Sequence, residues 1–329
     1  MKNTAKTGHL LILTVCILVL FVMAACPGDG GPGGTAHTHT WRGNLCTSCG
    51  VTGPVTSSQA NLSIDGLSNL SLISNQSGEG WTWTANTATL TLSSGYGSAN
   101  INFSNVKNDT INLVYSGDVN VNASGYDSAI SYDGNLKISG SGGTLTLTST
   151  GQSAIIKSDN KNLEINGGTI VAEGYSRGIN TNGNVFISNA DVTATATAAA
   201  SGYESIGIYA LAKEVTITNS TVSATGNGSL GYGIKADNGL TIKGSSEVSA
   251  TGDYIGIYAG GKCITVSGGT VTALGSGDCA ITPAYKVPKG YRYWTNTAAS
   301  DPGGGGTVSN GSFETNTLYK WVKVEAPKK

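Results

Sequence analysis

Six tyrosines stand just ahead of a recurring isoleucine-bearing segment: Tyr96, Tyr126, Tyr175, Tyr203, Tyr232 and Tyr254. Stacked in register they would form a column of rings at one corner, with faces that stack on sugars and hydroxyls that reach ring oxygens. The same column could equally be an aromatic ladder that only stiffens the corner. Three residues after the isoleucine lies a second column, Asp133, Asn182 and Asp237, which Asp159 joins if Ile156 is the aligned residue. Leu211 and Gly260 interrupt it. Carboxylates stacked ~5 Å apart repel unless a cation or hydrogen bonds offset them, so calcium between coils is one reading. Asx side chains bonding nearby backbone is the other. Near the N-terminus His37, His39, Cys46 and Cys49 offer two imidazoles and two thiolates, a set that suits tetrahedral zinc. The long spacing of a zinc finger is missing, and an oxidised Cys46/Cys49 pair beside an inconsequential His-Thr tract fits the same residues.

Residues 1–25 read as a leader: Lys2 and Lys6, an apolar run from Leu10 to Val22, and small residues before Cys26. The run is short for a membrane span. Met23-Ala24-Ala25-Cys26 resembles the lipobox of bacterial lipoproteins, in which Cys26 becomes the lipidated first residue, and its Met23 is similar to the looser boxes of spirochaetes. An ordinary cleaved signal peptide with an incidental cysteine is the other reading. Residues 26–36, rich in Gly and Pro, would then be a tether, and 37–50 the His/Cys segment. Cys263 and Cys279 lie about one coil apart, either paired or as two buried thiols.

The elements that must position these residues come from a repeat. Ile130, Ile155, Ile179, Ile208, Ile234, Ile257 and Ile281 are spaced 25, 24, 29, 26, 23 and 24 apart, a period that means stacked supersecondary units. Apolar residues alternate with polar ones in Leu163/Ile165, Val215/Ile217 and Val222/Ala224, the period of strands with one buried face. Between them Asn166-Gly167-Gly168, Asn189-Ala190-Asp191, Asn219-Ser220 and Ser267-Gly268-Gly269 supply corners. Three short strands per repeat cannot bury their inward faces alone, so the chain is expected to be all-β, a parallel β-helix of about seven coils. Unequal sides and long coils favour the right-handed form, and seven coils ~4.8 Å apart make a rod roughly 34 Å long. The solenoid is assigned to 101–282. The five tryptophans all fall outside Phe103 to Ile281, so 60–100 and 283–329 are expected to be β caps over the open ends.

A net charge of −1 with no Lys/Arg cluster argues against nucleic acid as a partner. Gly233-Ile234-Lys235-Ala236-Asp237 and Ile156-Lys157-Ser158-Asp159, with strands such as Val222-Ser223-Ala224-Thr225-Gly226, resemble the calcium-assisted, carbohydrate (pectin)-binding parallel β-helix family of clostridia over about Ile101 to Ile281. The resemblance implies acidic-glycan binding with calcium at aspartates such as Asp159 and Asp237. The Gly-Ile-Lys-Ala-Asp phrase occurs in full only once.

The expectation is a non-catalytic, lipid-anchored protein of the bacterial cell surface that binds polysaccharide. The alternatives are an adhesin or spacer that meets a host or neighbouring protein, and a polysaccharide lyase or hydrolase. Catalysis needs a base with a charge neutraliser, or paired carboxylates at a suitable separation. No histidine follows His39, and Arg177 is the only arginine of the coils, with Glu173 and Glu204 the nearest carboxylates in sequence. An ice-binding face is disfavoured because Thr193-Ala-Thr195-Ala-Thr197 finds no counterpart elsewhere. The lipobox reading predicts that Cys26→Ser abolishes incorporation of labelled palmitate and moves the protein from the detergent to the aqueous phase. An unchanged partition would establish the ordinary signal peptide.

Overall fold

The computed structural model of the chain describes residues 41–42, 45–46, 53, 55 and 58–327, apart from 107–108, 158–159, 198–201, 261–263, 312–313 and 316–317. Among these residues the fold is nearly all strand, with a single 3-10 turn at Ala85–Thr87. It is a parallel β-solenoid of about seven turns, each with three faces.

The chain enters each coil along a first face, exemplified by Asn135–Gly140, Val215–Thr218 and Leu240–Lys243. It turns into a threonine-rich face, exemplified by Thr144–Ser149, Thr221–Gly226 and Glu247–Gly252. It closes on an isoleucine face, exemplified by Arg177–Thr181, Ser205–Ala210, Gly231–Ala236 and Ile255–Ala259. The long strands Leu163–Gly174 and Val185–Ala196 run round the corner between the first two faces and join them into one sheet.

Register follows the isoleucines. Ile130 pairs with Ile155, Ile155 with Ile179, Ile179 with Ile208, Ile208 with Ile234, Ile234 with Ile257 and Ile257 with Ile281. Ile101 extends the ladder by pairing with Ile130. From Ile101 to Ile257 these side chains are fully buried, each worth ~1.5–3 kcal/mol relative to exposure. The first face adds Val215 and Ile217, and the threonine face adds Val222 and Ala224, to one continuous core.

Glycine precedes Ile179, Ile208, Ile234 and Ile257, whereas alanine precedes Ile130, Ile155 and Ile281. A Cβ on Gly207 would lie 2.6 Å from the Thr225 amide nitrogen and 2.7 Å from the Gly233 carbonyl. Gly178, Gly233 and Gly256 meet the same backbone-to-backbone approach between the isoleucine and threonine faces. These four coils are pinched at this point.

Corners are held by polar side chains. Asn189 and Asn219 take positive φ at tight corners, a conformation that asparagine tolerates better than most residues with a Cβ. An asparagine ladder runs up another corner: Asn135 Oδ1 accepts from the Asn162 amide, Asn162 Oδ1 from Asn184, and Asn184 Oδ1 from the Glu214 amide.

Antiparallel strands pair with the terminal coils. Asn61–Ile64 pairs with Ile101–Ser104 and Trp81–Thr84 with Thr89–Ser93. At the far end Trp321–Glu325 pairs with Thr270–Gly275, and Arg292–Asn296 pairs with Trp321–Glu325. Trp83 is buried beside Phe103 and donates its indole N–H to the Leu72 carbonyl.

The pinch predicts that Gly207→Val lowers stability by about 1–3 kcal/mol or more, because the clash is with backbone that cannot rotate away. Ala154 occupies the register position of Gly178, so Ala154→Gly is the mild control. A urea midpoint unchanged by Gly207→Val would remove the pinch as a constraint.

Candidate functional site

The structure does not bring the six tyrosines into one column. Tyr232 shares a ladder position with Ile206 and Ile255, whereas Tyr254 lies one residue ahead of that position. Tyr96 is buried at the N-terminal end, Tyr126 and Tyr203 are 88% and 72% exposed, and Tyr175 is half-buried. The physical reason is loop length: the tyrosines precede their isoleucines by 5, 4, 4, 5, 2 and 3 residues. Two separate features replace the column. Tyr126, Tyr175 and Tyr203 project from corner loops between the threonine and isoleucine faces. Tyr232 and Tyr254 pack into a cluster on the outside of the isoleucine face.

That cluster rests on Ile206, Ile255 and Cys279. Tyr232 meets Tyr254 and Tyr258 edge-on, with centroids 5.7 Å and 6.1 Å away. Lys235 Nζ sits 4.9 Å from the Tyr232 centroid, 5.2 Å from Tyr209 and 5.8 Å from Tyr258, and is ion-paired with Glu204. A cation over ring faces is attracted by the ring quadrupole. The Tyr209 hydroxyl donates to Asp237 Oδ2 at 3.2 Å. Burial, followed by the Glu204 charge, pushes the Tyr232 hydroxyl up to about 12. Burial and then the Asp237 charge push Tyr209 up as well. Cys279 is a buried free thiol raised to about 11 by burial and then by Asp278, so it is a poor nucleophile. Cys263 lies outside the described residues.

Tyr209 and Tyr258 were not singled out in the sequence. The signal was there: Tyr209, Lys235 and Tyr258 each follow an anchoring isoleucine and pair in register.

The aspartates are occupied by backbone. Asp133 Oδ1 and Oδ2 accept from the Val106 and Asn105 amides, both at 2.7 Å, and Asp237 Oδ2 accepts from the Ala212 amide at 3.2 Å. Asp118 and Asp253 clip other coils in the same way, through the Thr144 and Gly228 amides. Asp133 and Asp237 stand four coils apart, ~19 Å, so one ion cannot bridge them. The ladder aligns Ile155 with Ile130, not Ile156, so the condition on which Asp159 was to join the column is not met. Asp159 itself lies outside the described residues. Among the described residues no group of three or more His, Cys, Asp or Glu comes together. Cys26, His37, His39, Cys49 and the side chain of Cys46 also lie outside them, although the backbone of Leu45–Cys46 pairs antiparallel with Trp41–Arg42.

Hydroxyl side chains recur at one register position of the threonine face, although the Thr-Ala-Thr-Ala-Thr pattern does not. Register aligns Thr146, Val171, Thr193, Ser223, Ser249 and Thr272 on the threonine face. Val171 breaks this row, and Asp191 and Glu247 interrupt the parallel one beside it.

Two clefts of about 490 Å³ and 800 Å³ follow the corner between the first and threonine faces and share Ser245. The larger has Gly268 and Gly269 in its floor, and Tyr291, fixed by donating to the Val266 carbonyl, in its wall. No described helix is long and apolar enough to cross a membrane. No protein-family profile, curated protein or solved structure matches the chain.

The amide contacts predict that Asp133→Ala costs ~1–3 kcal/mol, since a charged acceptor shared by two amides is lost. The loss should be equal with calcium and with chelator in a urea titration. A midpoint that calcium raises in the wild type but not in the variant would restore the cation reading.

Proposed function

We propose that the chain is a non-catalytic, lipid-anchored protein of the bacterial cell surface that binds polysaccharide along the corner between its threonine and isoleucine faces. One observation carries this reading. Tyr126 and Tyr203 are 88% and 72% exposed on that corner, with the half-buried Tyr175 on a coil between them, in a fold that buries most of its large side chains. Their coils are three ladder steps apart, ~14 Å, so the three rings offer successive stacking points to an extended polymer. Tyrosine gives a large amphipathic contact at little cost in side-chain entropy. The surrounding surface, with many Ser and Thr and only 12% charged residues in the chain, suits a hydroxyl-rich ligand.

The lipobox reading of Cys26 supports the anchoring. On the catalytic alternative, Glu204 is committed to Lys235, and Glu173 stands on the threonine face opposite Thr148 and Thr195. The adhesin alternative draws support from exposed apolar side chains near the two ends, Leu67, Ile73, Val308 and Leu318.

The test is binding of the lipid-free chain from Pro27 to Lys329 to immobilised neutral and acidic polysaccharides, with calcium and with chelator. Saturable binding is expected, weakened about tenfold by Tyr203→Ala and further by adding Tyr126→Ala, each ring contributing on the order of 1.4 kcal/mol. Both positions are exposed, so folding should be unaffected. Failure to bind any polymer would transfer the weight to the adhesin. Release of new reducing ends would establish the enzyme.

A further inference from the structure

We propose that the cleft of about 800 Å³ at the C-terminal end of the solenoid is a second saccharide site, selective for a hexosamine with a free amine, whose ammonium sits over Thr270 between Glu247 and Glu325. It lies on a different corner from the tyrosines, between the first and threonine faces, and does not rest on the function proposed above.

Register sets the site. Thr270 pairs with Glu247 of the preceding coil on one side and with Glu325 of the closing strand Trp321–Glu325 on the other. Val248, Val271 and Val324, adjacent in the chain to these residues, are buried, so alternation along each strand turns Glu247, Thr270 and Glu325 outward, where all three line the cleft. Side chains directly opposite each other stand ~5 Å apart at Cβ, which leaves the two glutamates ~10 Å apart with the Thr270 hydroxyl between them. An ammonium has three donors and no acceptor. Two carboxylates and a hydroxyl in a row offer it three acceptors.

Neither glutamate carboxylate takes a hydrogen bond or ion pair from a described residue, whereas Glu164 and Glu204 are paired with Lys137 and Lys235. Like charges on both sides of one threonine repel, and a cation between them offsets the repulsion. The nearby cations are held elsewhere. Lys323 Nζ lies 4.9 Å from the Trp294 ring centroid, and Arg292, which pairs in register with Glu325, donates to the Gly305 carbonyl at 2.8 Å. The lining sets two carboxylates against the single lysine, so one positive charge from the ligand balances it. The rest of the cleft suits a sugar better than a bare amine. Ser245 and Thr272 bring hydroxyls to it, and the ring of Tyr291, fixed on the Val266 carbonyl, stands in its wall.

The experiment measures binding of a glucosamine oligomer, and of its fully N-acetylated counterpart of the same length and linkage, to the lipid-free chain in chelator. Acetylation removes the charge and keeps the rings and hydroxyls. The free-amine oligomer is expected to bind about tenfold or more tighter, the scale of a charged hydrogen-bonded pair. Glu325→Gln and Glu247→Gln should each remove most of that preference, and Lys323→Met should increase it. Asp191→Asn, in the neighbouring cleft, and Tyr203→Ala should leave it unchanged. An oligolysine of the same charge should bind more weakly than the glucosamine oligomer. Equal affinity of the wild type for the two sugar oligomers overturns the proposal whether or not any variant folds. Full preference in both glutamate variants does so too. A loss in Asp191→Asn as large as that in Glu325→Gln would mean diffuse attraction to an acidic surface and no site. Oligolysine binding as tight as the sugar would make the ligand a basic peptide, and the saccharide assignment would fail.

Discussion

In each middle coil one residue has no room for a side chain, and the next must bury one completely. Gly178, Gly207, Gly233 and Gly256 sit where the isoleucine and threonine faces touch backbone to backbone. Ile179, Ile208, Ile234 and Ile257 fill the core beside them. The pair fixes register absolutely, since a slip of one residue would drive an isoleucine into the pinch and leave a glycine facing the core. Every other feature inherits its position from this step: the inward Val and Ala of the threonine face, the asparagine ladder and the outward hydroxyls.

A pinched coil leaves little interior, so stability between coils also depends on corners, and there the chain uses uncharged or singly charged polar groups on backbone amides. Asn135, Asn162 and Asn184 each clip the following coil, whereas Asp133 and Asp237 reach back to the preceding one. Carboxylates placed this way gain charge-assisted bonds to amides that the loops would otherwise leave unsatisfied. The same bonds use part of each carboxylate's acceptor capacity and leave lone pairs over. The resemblance to calcium-assisted binders is thus met here by aspartates with backbone partners.

The period and the strand register were legible because the core imposes them: the isoleucine spacing aligns every coil from Ile130 to Ile281 as read. The tyrosine column was not legible, because the rings sit in corner loops whose lengths the core does not control. Tyr232 moved into a strand while Tyr203 stayed in solvent, although both follow a glycine in sequence. Two adjacent isoleucines left the anchor of one coil open in the sequence, and it is Ile155. Tyr209, Lys235 and Tyr258 share the position after the anchor, which the buried isoleucines put in register while the residue type there varies from coil to coil.

The interval between Ile179 and Ile208 is the longest in the solenoid, at 29 residues. A repeat protein can lengthen a loop at one coil with little penalty, because closure entropy grows only slowly with length and the neighbouring coils keep their contacts. Here Tyr203 is exposed and the chain re-enters the ladder at Ile206, directly beside Arg177. The single arginine of the coils therefore lies at the place where the period is broken most. A core built on strict repetition cannot vary its inward residues, so chemical individuality has to arise at such a break.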